Sequence, residues 1–292
     1  MRSFKDHNPI AIFLYYVFVI VPVMFCTNPV LLCISLFFGL AFRFVKDGGA
    51  AVKKLLPFAV FPLISMIVNP IFVHKGVTVL LVINDNPITL EALLYGLTIG
   101  LMIFATIVWF ASFNSIMTTD KLLYVFGSVS PKIALILSMA LRYIPLYGQQ
   151  MKKIRQAQQV TGLYKEDNAI DKIRGGMRIM SVMVSWALEN GIITADSMTA
   201  RGYGVGRRSR FSIFSWYGSD KVLAAATLLL GLGTAAAMGL GSLAYVWYPQ
   251  IVTPGTSPAA IACYAAYALL CAIPTYLELK EDARWRSLQS GI

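Results

Sequence analysis

Six apolar runs divide this chain and fix the solvent it must fold in. They cover residues 10–25, 30–45, 55–73, 90–113, 221–248 and 257–279. Each approaches or exceeds the roughly 17 residues a helix needs to cross the hydrocarbon layer. Only 13% of residues are charged and 57% are hydrophobic, whereas a soluble domain carries about a quarter charged residues. The pattern predicts an all-α polytopic membrane protein with about six transmembrane helices. The first two runs are separated only by Thr27-Asn28-Pro29, which predicts a tight helical hairpin. Pro57, Pro62 and Pro70 are expected to bend or end the third span.

The charge is as unevenly distributed as the hydropathy. Of 25 Lys and Arg residues, fourteen fall between Asn114 and Ser219: Lys121, Lys132, Arg142, Lys152, Lys153, Arg155, Lys165, Lys172, Arg174, Arg178, Arg201, Arg207, Arg208 and Arg210. A basic block between apolar spans fits a cytoplasmic region under the positive-inside rule, and this placement argues against nucleic-acid binding despite a net charge of +11. The linker from Lys46 to Lys54 and the tail with Lys280, Arg284 and Arg286 fall on the same side. Both termini are therefore expected in the cytoplasm of a multi-pass plasma-membrane protein. The loop from His74 to Thr89, with Lys75 as its one basic residue, and the uncharged connector Pro249 to Thr256 belong outside. In that first loop, 77–83 is too short to span as a helix and is expected as a partly buried strand or re-entrant piece. Arg43 sits where its stem can snorkel to the headgroups. The organisation expected is 1–113 N-terminal spans, 114–219 cytoplasmic helices and 220–292 C-terminal spans.

Within the basic block the periodicity is helical. Tyr147, Met151 and Ile154, continued by Gln158 or Thr161, fall on one face, with Lys152, Lys153, Arg155, Gln156 and Gln159 turned away. Pro145 is expected to kink this helix. A second run uses Ile173, Met177, Met180, Val184, Leu188 and Ile192, and 117–126 forms a shorter apolar piece. Two or three long amphipathic helices on the cytoplasmic side follow. Gly162 and Gly202 stand where helix C-termini need left-handed backbone. At the second end, Arg201 lies between Ala200 and Gly202, a cation that suits the helix dipole and can be gripped bidentately by an acidic partner. Glu189 and Asp196 are candidates to pair with Arg142, Arg174 or Arg178 and brace the helices, solvated surface charge being the alternative. In the fifth span, Gly231, Ala235 and Gly239 make one four-residue stripe and Gly233, Ala237 and Gly241 another. Such stripes let helices approach closely in lipid, within the chain or against a partner.

Several chemistries lack their residues. There is no G-x-x-x-x-G-K-[ST] sequence to cradle nucleotide phosphates. Cys26, Cys33, Cys263 and Cys271 form no C-x-x-C pair, and His7 and His74 lie far apart, so buried free thiols are expected rather than metal or disulfide chemistry. A membrane-embedded transferase needs clustered carboxylates for a metal and a diphosphate. Here Asp85 and Glu91 are separated, and Glu166-Asp167 falls in a loop. A self-sufficient permease needs ionisable groups along its path. The spans contain Arg43, Glu91, Lys221 and Glu278, all expected near span ends.

The segment from Ala195 to Gly204, which includes Asp196 and Ala200-Arg201-Gly202, resembles the second signature of the energy-coupling factor transporter T component, the EcfT/CbiQ family. Leu141-Arg142-Tyr143-Ile144-Pro145, leading into Ala157-Gln158, resembles the first. Asn69-Pro70 through Gly76-Val77-Thr78 and Asn86-Pro87-Ile88-Thr89 resemble further segments, and the likeness runs from Asn8-Pro9 to the last span. The resemblance implies a membrane scaffold without a cofactor or enzymatic activity of its own. It would link two ABC-type ATPases, possibly non-identical, to a small substrate-binding membrane subunit for uptake of a vitamin or transition-metal ion. By the same resemblance, Ala200, Arg201 and Gly202 dock one ATPase, and Val160, Thr161 and Gly162 stand in the place of the other docking motif. Arg142, Pro145, Ala157, Gln158 and Asp196 would support the helices. Thr161 stands where the family has arginine and Val160 where it has alanine, so the first docking motif departs from the pattern.

Overall fold

The computed structural model describes residues 3–83, 86–162, 169–206, 214–252 and 257–289. Asp85, Lys165, Glu166, Asp167, Arg207, Arg208 and Arg210 lie outside the described residues. The chain falls into two compact units, one formed by Met1–Val125 with Phe214–Ile292 and the other by Phe126–Ile213.

The first unit is a helical bundle whose boundaries follow local chemistry. Helix α1 (Pro9–Phe25) and α2 (Pro29–Asp47) both begin with Asn-Pro. The Asn8 and Asn28 side chains accept from the amides of Ile10 and Val30, each at 3.0 Å. The proline occupies the first turn, where its missing N–H costs nothing. Next come α3 (Gly49–Leu55), a 3-10 turn holding Pro57, and α4 (Val60–Phe72), which ends soon after Pro70. The strands β1 (Val79–Ile83) and β2 (Asn86–Thr89) form an antiparallel hairpin, followed by α5 (Leu90–Ile116) and α6 (Thr119–Val129). Beyond the second unit, the bundle is completed by α9 (Gly218–Gly239) and α10 (Pro258–Gln289).

Among the described residues, five helical segments are long and apolar enough to cross a membrane: Pro29–Asp47, Gly49–Phe72, Leu90–Ile116, Gly218–Gly239 and Pro258–Gln289. Helix α1 adds a shorter apolar helix of 17 residues, about 25 Å long at 1.5 Å per residue. The all-α polytopic architecture is thus present, with two changes to the expected spans. The fifth ends at Gly239 instead of Tyr248. Leu240 caps it, Gly241 has φ +72°, and Ser242 N–H reaches back to Ala237 O, a six-to-one closure that stops a helix. The helix of the sixth span continues to Gln289, through the charged residues that follow Glu278. A strand forms within the expected 77–83 piece, and no other part of the protein covers its Val79, Leu80, Leu81 and Val82 side chains among the described residues.

Aromatic rings fill the core. Phe4, Tyr15, Tyr16, Phe42 and Trp109 are buried together with ring centroids 5.3–6.3 Å apart in edge-to-face geometry, the arrangement that ring quadrupoles favour. Two polar atoms here are paired, Trp109 Nε1 donating to Ser35 Oγ at 2.8 Å and Tyr267 to the Val19 carbonyl at 3.1 Å, whereas the Tyr15 and Tyr16 hydroxyls are buried without a partner among the described residues. The closest helix approach is α4 on α5, where a Cβ at Gly96 would strike the Ser65 carbonyl and one at Gly100 the Pro62 backbone. Neither α9 stripe forms such a seam. Its buried row is Asp220, Leu223, Thr227, Gly231, Thr234 and Ala237, with Gly233, Ala235 and Gly239 outside. Of the stripe residues, Gly231 packs against the Phe18 ring and Ala237 is buried in the core.

Candidate functional site

The second unit contains two long helices, α7 (Pro131–Val160) and α8 (Ala169–Ala200). Tyr143 hydroxyl lies 2.7 Å from Thr194 Oγ1, and the Tyr147 ring meets Trp186 edge-on at 5.5 Å. Contacts that advance along α7 while receding along α8 make the pair antiparallel. Tyr143 and Tyr147 stack on each other at 5.6 Å, which sets this aromatic brace into α7. Beside it lies an apolar cavity of about 580 Å³, lined by Ile136, Met139, Tyr143, Ile144, Ala195 and Met198.

The two helices use their predicted stripes differently. On α7, Tyr147 and Ile154 are half-buried and Gln158 is buried, as the inward stripe requires, whereas Met151 and Thr161 are exposed. On α8 the row that turns inward is Gly175, Ile179, Met183, Trp186, Asn190 and Thr194. The apolar row Ile173, Met177, Met180, Val184, Leu188 and Ile192 is exposed along its whole length. Its spacing is helical as expected, but none of it is covered within the unit.

Both helices close on the same backbone plan. Val160 is the last helical residue of α7, Thr161 its cap, and Gly162 follows at φ +68° with its N–H on Gln159 O at 3.1 Å. Ala200, Arg201 and Gly202 repeat these positions on α8, with Gly202 at φ +78°. Gly202 N–H bonds Thr199 O at 2.9 Å and Tyr203 N–H bonds Met198 O at 3.0 Å, the paired closure of a Schellman motif. A Cβ at either glycine would meet no atom, so backbone conformation rather than space selects glycine there.

The chemistry of the two ends differs. Thr161 Oγ1 donates back into its helix, to Ala157 O at 3.0 Å and Gln158 O at 3.2 Å. Its one donor is committed, and Val160 beside it is 89% exposed. Arg201 is exposed and, among the described residues, forms no ion pair, so its guanidinium donors are open to a partner. Because the helices are antiparallel, the two ends point in opposite directions. They lie on the order of 35 Å apart measured along the helices from the Tyr143–Thr194 crossing.

The other expected site residues have mixed fates. Ala157 and Gln158 support the first end through their carbonyls, and Gln158 is buried with its Oε1 unpartnered among the described residues. Pro145 lies inside a helix that continues on both sides of it. Among the described residues Glu189 and Asp196 form no ion pair with Arg142 or Arg174, and Asp196 and Arg142 are exposed. Long side chains on exposed surfaces gain little from pairing, and the tyrosine brace holds the helices instead. In the bundle, Arg43 pairs with Asp47 at 2.7 Å.

Sequence reading missed two polar knots of the first unit. His7 Nδ1 lies 2.6 Å from Asp220 Oδ1, and Ser3 Oγ donates to both Glu278 oxygens at 3.0 and 3.1 Å, all of them buried. Asp220 also accepts from the Tyr217 amide. These pairs join the first residues to α9 and α10 across more than two hundred positions, and no local pattern announces them. The four cysteines are free.

The fold and these helix ends define a class: a multi-pass α-helical membrane protein bearing a basic helix pair with exposed, glycine-capped ends. The chain belongs to the cobalt transport protein family, CbiQ, whose family model matches residues 2–213. The match includes both helix ends and stops before α9. The chain is 26% identical over 198 residues to the energy-coupling factor transporter transmembrane protein EcfT 1 of Listeria monocytogenes, covering 62% of this chain and 73% of that protein. It is 30% identical over 184 residues to the EcfT protein of Listeria innocua, covering 59% and 69%. Against EcfT of Streptococcus thermophilus it is 29% identical over 153 residues, covering 47% and 58%.

Proposed function

We propose that this chain is the transmembrane T component of an energy-coupling factor importer, a non-enzymatic scaffold. Two ABC-type ATPases dock at the ends of α7 and α8, and a small substrate-binding membrane subunit rests against the exposed row of α8. The cargo is a vitamin or a transition-metal ion selected by that other subunit. The 1–113 and 220–292 portions hold the scaffold in the plasma membrane with both termini in the cytoplasm, and 114–219 forms the coupling region.

The observation that carries this reading is the repeated cap geometry of Val160-Thr161-Gly162 and Ala200-Arg201-Gly202 at two separated, outward ends. Two equivalent backbone endings suit a pair of related partners, and the difference in side chains suits partners that are not identical. ATPase closure then moves the ends, and the helix shafts carry that motion to the substrate-binding subunit.

Co-purification tests the docking directly. A tagged chain should retain its ATPases, and Arg201→Glu should lose one of them while the membrane protein stays folded. Equal recovery would remove Arg201 from the interface. Crosslinking from positions between Met177 and Leu188 to the substrate-binding subunit should change with ATP. An identical pattern with and without ATP would end the lever mechanism.

A further inference from the structure

We infer that the β1–β2 hairpin is an interfacial membrane anchor, with lipid covering both of its faces. Beyond the register shift between Val79 and Leu81, Leu81 pairs with Ile88 and Val82 with Pro87. Successive residues of a strand point to opposite faces, and these two are equally exposed, Leu81 at 64% and Val82 at 63%. Val77, Val79 and Leu80 are exposed as well. A two-stranded ribbon apolar on both faces is marginal in water and prone to aggregation. A partner with a groove covers one face and leaves the other wet. A fluid apolar medium covers both.

The backbone sets the depth. Among the described residues β1 pairs with β2 alone in a two-stranded sheet, so its outer edge carries N–H and C=O groups without a strand partner. Such an edge is excluded from the hydrocarbon centre, and the hairpin therefore lies at the boundary of headgroups and acyl chains. Its root is fixed at the end of the membrane helices. Thr78 donates through both its amide, at 3.1 Å, and its hydroxyl to the buried Glu91 carboxylate. Thr89 Oγ1 donates to the Lys75 carbonyl at 3.0 Å, and Leu90 N–H bonds Thr78 O at 3.0 Å. Gly76 at φ +151° lets the chain pass where a Cβ would strike Thr89 and Glu91. Helix α4 packs against β2, and its outward row Ile64, Ile67 and Ile71 ends at the exposed Phe72.

The test uses the full chain in intact membranes of producing cells. Benzoylphenylalanine is introduced singly at Leu81 and Val82, with Val79 and Leu80 as a second pair in case either variant fails to accumulate. After irradiation, mass analysis should find phospholipid adducts at both Leu81 and Val82, and adduct yields at least fivefold above those of the same probe at Lys75. Protein adducts at either face, lipid adducts at one face only, or yields no higher than at Lys75 would overturn the proposal.

Discussion

The ends of α7 and α8 share one backbone plan and differ in a single decisive side chain. At both, a glycine near φ +70° closes the helix, and the residue before it occupies the cap. In α7 that residue is Thr161, whose hydroxyl turns back onto Ala157 and Gln158. In α8 it is Arg201, whose charge remains available. Cap geometry is set by glycine and by carbonyls of the last turn, whereas binding chemistry is set by the cap side chain. On the proposed docking, recognition of the first end would rest on shape and on apolar Val160, and recognition of the second on charge.

The most damaging way to break this comparison is Arg201→Glu. Charged hydrogen bonds contribute about 1.5–3 kcal/mol, so ATPase binding should weaken roughly tenfold to a hundredfold, measured by co-purification and titration. Thr161→Val, the matching change at the other end, should leave binding within about twofold, because the hydroxyl is spent inside the helix. A β-branched residue at the glycines tests the shared plan. Gly202→Val forces a left-handed conformation that costs about 1–2 kcal/mol and should reduce docking at the second end about five- to thirtyfold. Gly162→Val should act similarly on the ATPase held at the first end. Unchanged binding in both would show that the caps are not what the partners recognise.

Thr161→Arg sharpens the comparison from the other side, and should improve docking at the first end by up to about tenfold if that groove retains an acid. No gain would show a groove adapted to an uncharged end. The smallest effect concerns the brace. Tyr143→Phe removes one hydrogen bond to Thr194, worth about 1 kcal/mol. It should lower the midpoint of thermal unfolding in detergent by about 2–4 °C, with ATPase binding within twofold.

Much of this fold was legible because its causes are local. The apolar runs located the membrane helices, Asn28-Pro29 marked the turn between the first two, and Gly162 and Gly202 marked helix ends. The fifth span was overextended, although Gly239-Leu240-Gly241 carried the stop signal. What composition could not decide was which small residues meet a neighbour. Gly96 and Gly100 form the tight α4–α5 seam, while the more conspicuous α9 stripes are mostly exposed. Helical spacing on α8 identified an apolar row but not its direction, because the inward row, from Gly175 to Thr194, is itself made of small and mixed residues. His7–Asp220 and Ser3–Glu278 depend on tertiary placement, and only the fold brings them together.

The central claim is that the α8 end docks by charge and the α7 end does not. The measurement that tests it most directly is ATPase affinity as a function of salt, for the wild-type chain and for Arg201→Gln. Exposed charge interactions are screened over about 10 Å at 0.1 M salt. Affinity of the wild type should therefore fall as salt rises, and the variant should bind more weakly with a flatter dependence. Equal affinity and equal salt dependence in the two proteins would contradict the account.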